Sequence, residues 1–146
     1  MIYWINGPYG VGKSTLASKL HEINSNSFIF DAEVVGNAIR DNMPKELFNG
    51  YIFEKYNLWF EMIFKLLKEI THKFDGDIYI PMTLVYEDSF NKIEKLLKKS
   101  NIEIKHILLE STYEVVKERI LKRGESEDCW CIMNIGLCIE NQSKFN

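Results

Sequence analysis

The segment Gly7-Pro8-Tyr9-Gly10-Val11-Gly12-Lys13-Ser14 constrains this chain more than any other stretch. It satisfies G-x-x-x-x-G-K-[ST] at every fixed position, and each residue type in that pattern has a physical task. The glycines let the backbone turn tightly and bring its N–H groups close to an anion. Lys13 supplies a compact positive charge, and the Ser14 hydroxyl offers an oxygen to a divalent cation. The context agrees. The apolar run Ile2 to Asn6 reads as a buried strand, and Leu16, Leu20 and Ile23 then recur at helical spacing. A helix opening near Gly12 aims its N-terminus at the anion. Gly7 to Ser14, with Thr15 beside them, is therefore expected to bind a nucleoside triphosphate, ATP with Mg2+, and Ser14 is expected to ligate the metal.

The rest of the chain alternates strand and helix. Ser27 to Phe30 is a second short apolar run ended by Asp31, and a short helix is expected from Glu33 to Asp41. Asn42 to Gly50, with Pro44 and Gly50, reads as a loop. Phe53, Tyr56, Phe60, Ile63, Phe64 and Leu67 predict a long helix from about Phe53 to Thr71. Its wide apolar stripe favours a core helix over a lid or substrate-clasping arm. Asp77 to Met82 is a third strand, halted by Pro81. Tyr86, Phe90, Ile93 and Leu97 mark another helix, and Glu103 to Leu109 a fourth strand. Ser111 and Glu114 have capping-box spacing, which predicts a helix from there to about Arg123. The polar run Gly124 to Asp128 then precedes a last apolar helix ending near Asn141. Parallel pairing and right-handed crossovers give a three-layer α/β domain with a four-stranded parallel sheet.

Composition narrows the function classes. The chain has 146 residues, 46% hydrophobic and 27% charged, enough for one domain with its own core. A formal net charge of −3 gives no support for sequence-independent nucleic-acid binding. The three cysteines, Cys129, Cys131 and Cys138, are odd in number and crowded, so they are expected to be reduced thiols. The start Met-Ile-Tyr-Trp-Ile-Asn has no basic secretory character and no transmembrane length, which makes the cytoplasm the expected location.

Phosphoryl transfer also needs an acid near the metal and positive charge on the transferred group. Asp31 follows Phe28-Ile29-Phe30 at the C-terminal end of a strand, the end that faces the ligand crevice in open α/β sheets. It is the candidate base for a substrate hydroxyl, or the holder of a water on Mg2+; the plainer alternative is a helix cap. Glu33 can share either task. Arg119 and Arg123 are four apart on one helical face and lead into a flexible-looking segment, which suits a lid closing over the phosphoryl group. Thr83, after Pro81-Met82, and Arg40 are candidates to contact the substrate. Trp59, Tyr56 and Trp130 read first as core. Glu110 is a weak candidate, since it leads straight into a helix start. Asn91-Lys92-Ile93-Glu94 only approximates a guanine-reading motif and lies within a helix. Cys129, Cys131 and Cys138 lack a fourth metal ligand, and His21, His72 and His106 are isolated.

Taken together, these runs resemble the bacterial tunicamycin-resistance ATP-binding proteins, relatives of small-molecule P-loop kinases. The resemblance rests on Ile5-Asn6-Gly7 entering the loop, Asp31-Ala32-Glu33 followed by Gly36 and Ala38-Ile39-Arg40, Leu58-Trp59, Pro81-Met82-Thr83, and Arg119 and Arg123 ahead of Trp130. It covers essentially the whole chain. It implies ATP binding and a role in antibiotic resistance, with an acid placed like Asp31 serving as base. Proteins of this kind continue past the lid helix into a fifth strand and a final helix, and the loop after that strand helps wall the adenine pocket. This chain stops at Asn146, so it reads as C-terminally short. Three functions follow as expectations: transfer of the ATP γ-phosphate to a hydroxyl of a small molecule or antibiotic, nucleotide-dependent sequestration of a drug without transfer, and a signalling NTPase. The last lacks a guanine motif and a water-positioning Gln.

Overall fold

The computed structural model describes residues 1–145. Strands β1 (Ile2–Asn6), β2 (Ser27–Ile29), β3 (Asp77–Pro81) and β4 (Ile104–Leu108) form one sheet in the order β2-β3-β1-β4. Every pairing is parallel, with Ile2 opposite both Ile78 and Ile104. Helices α1 (Lys13–Ile23), α2 (Ala32–Asp41), α3 (Asn57–Lys73), α4 (Glu87–Lys98), α5 (Tyr113–Lys122), α6 (Trp130–Met133) and α7 (Ile135–Gln142) complete the fold. Among the described residues the sheet has four strands, as the sequence pattern predicts.

Alternation along β1 explains the layering. Ile2 and Trp4 face one side, where they join Ile78, Ile80, Trp59, Ile63 and Leu67 in the main core. Ile5 and Tyr3 face the other side and pack with Tyr79, Ala17, Leu16 and Leu20 of α1. The small Ala17 is what lets α1 lie close beneath the strand that feeds it. A third cluster joins Val11 of the phosphate loop to Val116 and Ile120 of α5 and to Ile132 and Ile135. The segment after Gly124 is thereby fastened to the loop by apolar contact.

Several boundaries differ from the sequence reading. Residues Phe53–Lys55 form a separate 3-10 turn, and α3 starts at Asn57. The α3 stripe is buried in the main core, so α3 is a core helix and no arm. Helix α2 begins one residue earlier than expected because Asp31 caps it. The expected Ser111 cap is corrected to Thr112, whose hydroxyl accepts from the Val115 N–H at 3.4 Å; the helix starts one residue later than the capping-box spacing implies. The last helix is broken in two at Asn134, whose amide donates to the Trp130 carbonyl at 2.8 Å. No helix among the described residues is long and apolar enough to cross a membrane.

Candidate functional site

The phosphate loop leaves β1 at the C-terminal edge of the sheet. At Gly7 the chain takes φ 147°, and a Cβ there would meet the Leu109 carbonyl at 2.5 Å. Only glycine fits that conformation against that neighbour. Asn6 beneath it is fully buried and ties three segments together. Its Oδ1 accepts from the Gly7 N–H at 2.8 Å, the Leu84 N–H at 2.7 Å and the Gln142 amide at 3.1 Å. Its Nδ2 donates to the Leu84 carbonyl at 3.3 Å, and Gln142 donates to the same oxygen at 3.0 Å. The loop is thus braced from below by the segment after β3 and by α7.

Lys13 is buried, and its ammonium donates to the carbonyls of Gly7 at 3.1 Å and Pro8 at 3.0 Å. Burial is the main reason its pKa falls to about 8; the Glu33 carboxylate opposes the shift and Arg123 adds to it. A buried ammonium held by carbonyl dipoles fits an arriving anion. Ser14 and Thr15 are exposed on the first turn of α1. Arg119 donates through Nη1 to the Val11 carbonyl at 3.0 Å, which fixes α5 to the loop. Arg119 and Arg123 line an open groove of 500 Å³ together with Gly12, Thr15 and Lys19. The structure therefore brings Gly10, Val11, Gly12, Thr15 and both arginines to one positive surface.

On the other side of Tyr9 lies a cavity of 270 Å³, bounded by Tyr9, Tyr51, Trp130, Glu33, Glu54 and Thr83. Trp130 meets the Tyr9 ring edge-on at 5.1 Å and the Tyr51 ring at 5.3 Å, making a continuous aromatic wall. Thr83 is buried, and its hydroxyl donates to the Gly7 carbonyl at 2.9 Å, the same oxygen that accepts from Lys13. Glu33 sits at the rim. Burial raises its pKa most, Lys13 lowers it and Asp31 raises it.

The remaining expected residues lie differently. Asp31 is exposed and is not part of the cavity lining. Its Oδ1 accepts from the N–H groups of Glu33 at 3.0 Å and Val34 at 3.1 Å, so it is a helix cap, and Oδ2 has no hydrogen-bond partner among the described residues. Arg40 stands behind the aromatic wall: its guanidinium stacks on Tyr51 at 4.8 Å and pairs with Asp41 at 3.2 Å. Trp59 is core, its indole N–H donating to the Ala32 carbonyl at 3.1 Å. Among the described residues no cluster of His, Cys, Asp or Glu could hold a metal on its own, and Cys129, Cys131 and Cys138 are free thiols.

Glu54 is the residue that sequence reasoning missed. It is buried, and its carboxylate accepts from the N–H groups of Val85 at 2.8 Å and Tyr86 at 2.8 Å and from the Ser89 hydroxyl at 3.1 Å. It therefore pins the chain entering α4 from a distant segment. Burial pushes its pKa up to about 7 against the pull of these bonds. Its sequence signal is weak, since Glu54 and Lys55 are adjacent charges in the otherwise largely apolar stretch Phe53 to Phe60.

A family model described as an AAA domain matches residues 2–129. No curated protein matches the chain. Among solved structures, the tunicamycin resistance protein of Deinococcus radiodurans superposes with a TM-score of 0.78 at 26% identity, over 97% of this chain and 79% of that one. A sugar kinase from Janibacter sp. HTCC2649 gives a TM-score of 0.66 at 12% identity, over 99% of this chain and 77% of the other. A gluconokinase from Sinorhizobium meliloti 1021 gives 0.61 at 15% identity, over 99% and 74%. The two kinases are alike in fold alone. The resemblance to tunicamycin-resistance proteins, drawn from short runs, extends over the whole fold.

Proposed function

The chain belongs to the AAA domain family, and from that premise we propose that residues 1–146 act as one cytoplasmic, ATP-dependent domain that phosphorylates a hydroxyl of a small molecule. The ATP and nucleotide-binding part of this reading rests on the family and on the loop's geometry. The transfer part rests on one observation: the Gly7 carbonyl accepts from both Lys13 and Thr83, so the phosphate loop and the cavity share a wall. A hydroxyl held in the cavity would stand across that wall from a phosphate held by the loop.

In this reading bound ATP supplies the transferable phosphoryl group and Mg2+ offsets its charge. Lys13, Arg119 and Arg123 stabilise negative charge that develops on transfer. Ser14 would hold the metal through its hydroxyl. Asp31, through its free Oδ2, takes the hydroxyl proton or orients a water on Mg2+. Glu33 and Thr83 contact the acceptor, and Arg40 supports the wall it rests on. The Deinococcus relative, described as a tunicamycin resistance protein, makes an antibiotic a reasonable acceptor to try first.

The experiment is incubation with γ-labelled ATP and hydroxyl-bearing antibiotics, tunicamycin among them, followed by mass measurement of the drug. A product heavier by one phosphate supports transfer, and tight drug binding with no mass change defeats it. Asp31→Asn keeps the cap; transfer at the normal rate in that variant removes Asp31 as base. The exposed, cap-bound position of Asp31 outside the cavity favours a second reading, nucleotide-dependent sequestration of the drug.

A further inference from the structure

The 270 Å³ cavity has a charge character that the transfer reading does not by itself require. Its ionisable carboxyls are those of Glu33 and Glu54, and no Lys or Arg is among the residues that line it. Its wall is formed by the rings of Tyr9, Tyr51 and Trp130, whose faces carry negative potential. The nearby cations stand outside the lining: Lys55 acts on Glu54 through space, and the Arg40 Nη1 is buried behind the wall without a hydrogen-bond partner. Arg40 stacks on Tyr51 and pairs with Asp41. Lys13 lies 5.8 Å from the Tyr9 ring and acts on Glu33 through space, but a bound triphosphate takes its charge.

Once nucleotide is bound, Glu33 at the exposed rim and Glu54, held by Val85, Tyr86 and Ser89, therefore face a cavity whose own lining supplies no cation. A cation arriving among aromatic faces and carboxyl groups is favoured there, and it also favours the ionised form of Glu54. We propose that Glu33, Glu54 and the Tyr9–Tyr51–Trp130 wall make this cavity selective for a protonated amine that also carries hydroxyls, an amino sugar or amino alcohol, and set it against acidic acceptors. The inference rests on the transfer reading for placing the acceptor here, and it names that acceptor's chemical class. Like charges inside the cavity reject carboxylates and phosphates, which is how specificity against a wrong ligand is built.

The test is binding, so it does not depend on transfer. The probes are glucosamine, N-acetylglucosamine and gluconate, which present a cation, a neutral amide and an anion on polyhydroxylated six-carbon skeletons. Each is titrated by ligand-observed NMR into the protein saturated with Mg2+ and a non-hydrolysable ATP analogue, at pH 7 and low salt. Glucosamine is expected to bind about tenfold more tightly than N-acetylglucosamine, and gluconate more weakly than either. Glu33→Gln is expected to cut the preference several-fold, and Glu54→Gln to cut it further; a thermal melt reports whether each variant folds. If Glu54→Gln does not fold, Glu33→Gln carries the test alone. Equal binding of the three probes, tightest binding of gluconate, no binding of any, or a preference unchanged in Glu33→Gln overturns the proposal. Amine preference without phosphorylation defeats the transfer reading alone. Phosphorylation with no amine preference defeats this inference alone.

Discussion

The phosphate loop and the neighbouring cavity meet at Tyr9, yet they are built on opposite plans. The loop works through backbone groups from one contiguous stretch, a buried ammonium and two flanking arginines. The cavity works through side chains borrowed from the second helix, the segment before α3, the end of β3 and the helix after Gly124. One end is positive and fixed by the sheet. The other is acidic and aromatic, and its shape depends on distant segments staying docked. Together they give a bipolar site suited to joining a polyanion to a molecule of different character.

Substitutions can break or sharpen this contrast. Lys13→Ala should have the largest effect, weakening Mg·ATP about a hundredfold, roughly 3 kcal/mol, because it removes a charged hydrogen-bonding group. Isothermal titration measures it, and acceptor binding without nucleotide should survive. Next is Asn6→Ala, which strips partners from the Gly7 and Leu84 N–H groups and from Gln142. It should cost about 2–3 kcal/mol in denaturant unfolding and weaken nucleotide binding as well. A variant with native stability would show that the loop is not braced from below.

The cavity end should reveal itself through pH. Glu54 has a folded value of about 7 against an ordinary 4.5. The folded protein therefore keeps this proton where the unfolded chain has released it. The associated stability is fully present below about pH 4.5 and is lost as pH rises through 7. Unfolding midpoints between pH 5 and pH 8 should fall in the wild type and flatten in Glu54→Gln. An equal slope in both proteins would remove Glu54 as the source. The smallest effect is expected at the junction: Thr83→Val removes the hydroxyl that donates to Gly7 and should cost about 1 kcal/mol in the same unfolding assay. A larger loss would mean that the two ends are more tightly coupled than one hydrogen bond implies.

The contrast also explains what the sequence revealed. Gly7, Gly12, Lys13 and Ser14 act as neighbours in the chain, so spacing alone exposes them. The strands were legible because each is a short apolar run whose two faces pack on different layers, as Trp4 and Ile5 do. Glu54 and the Tyr51–Trp130 contact were not legible, because they exist only when segments far apart in sequence meet. Asp31 was read as cap or base from one position. The structure makes the cap visible, while the role of the free oxygen depends on chemistry that only an acceptor brings. Arg40 had the right residue type for a substrate contact, but its ring partners place it behind the wall.

Calorimetric titration of Mg·ATP into the folded wild-type chain, alongside Lys13→Ala, tests the central claim most directly. Saturable one-site heat in the wild type and binding about a hundredfold weaker in the variant is the predicted result. A wild type that melts cooperatively yet gives neither heat nor a thermal shift with Mg·ATP would contradict it.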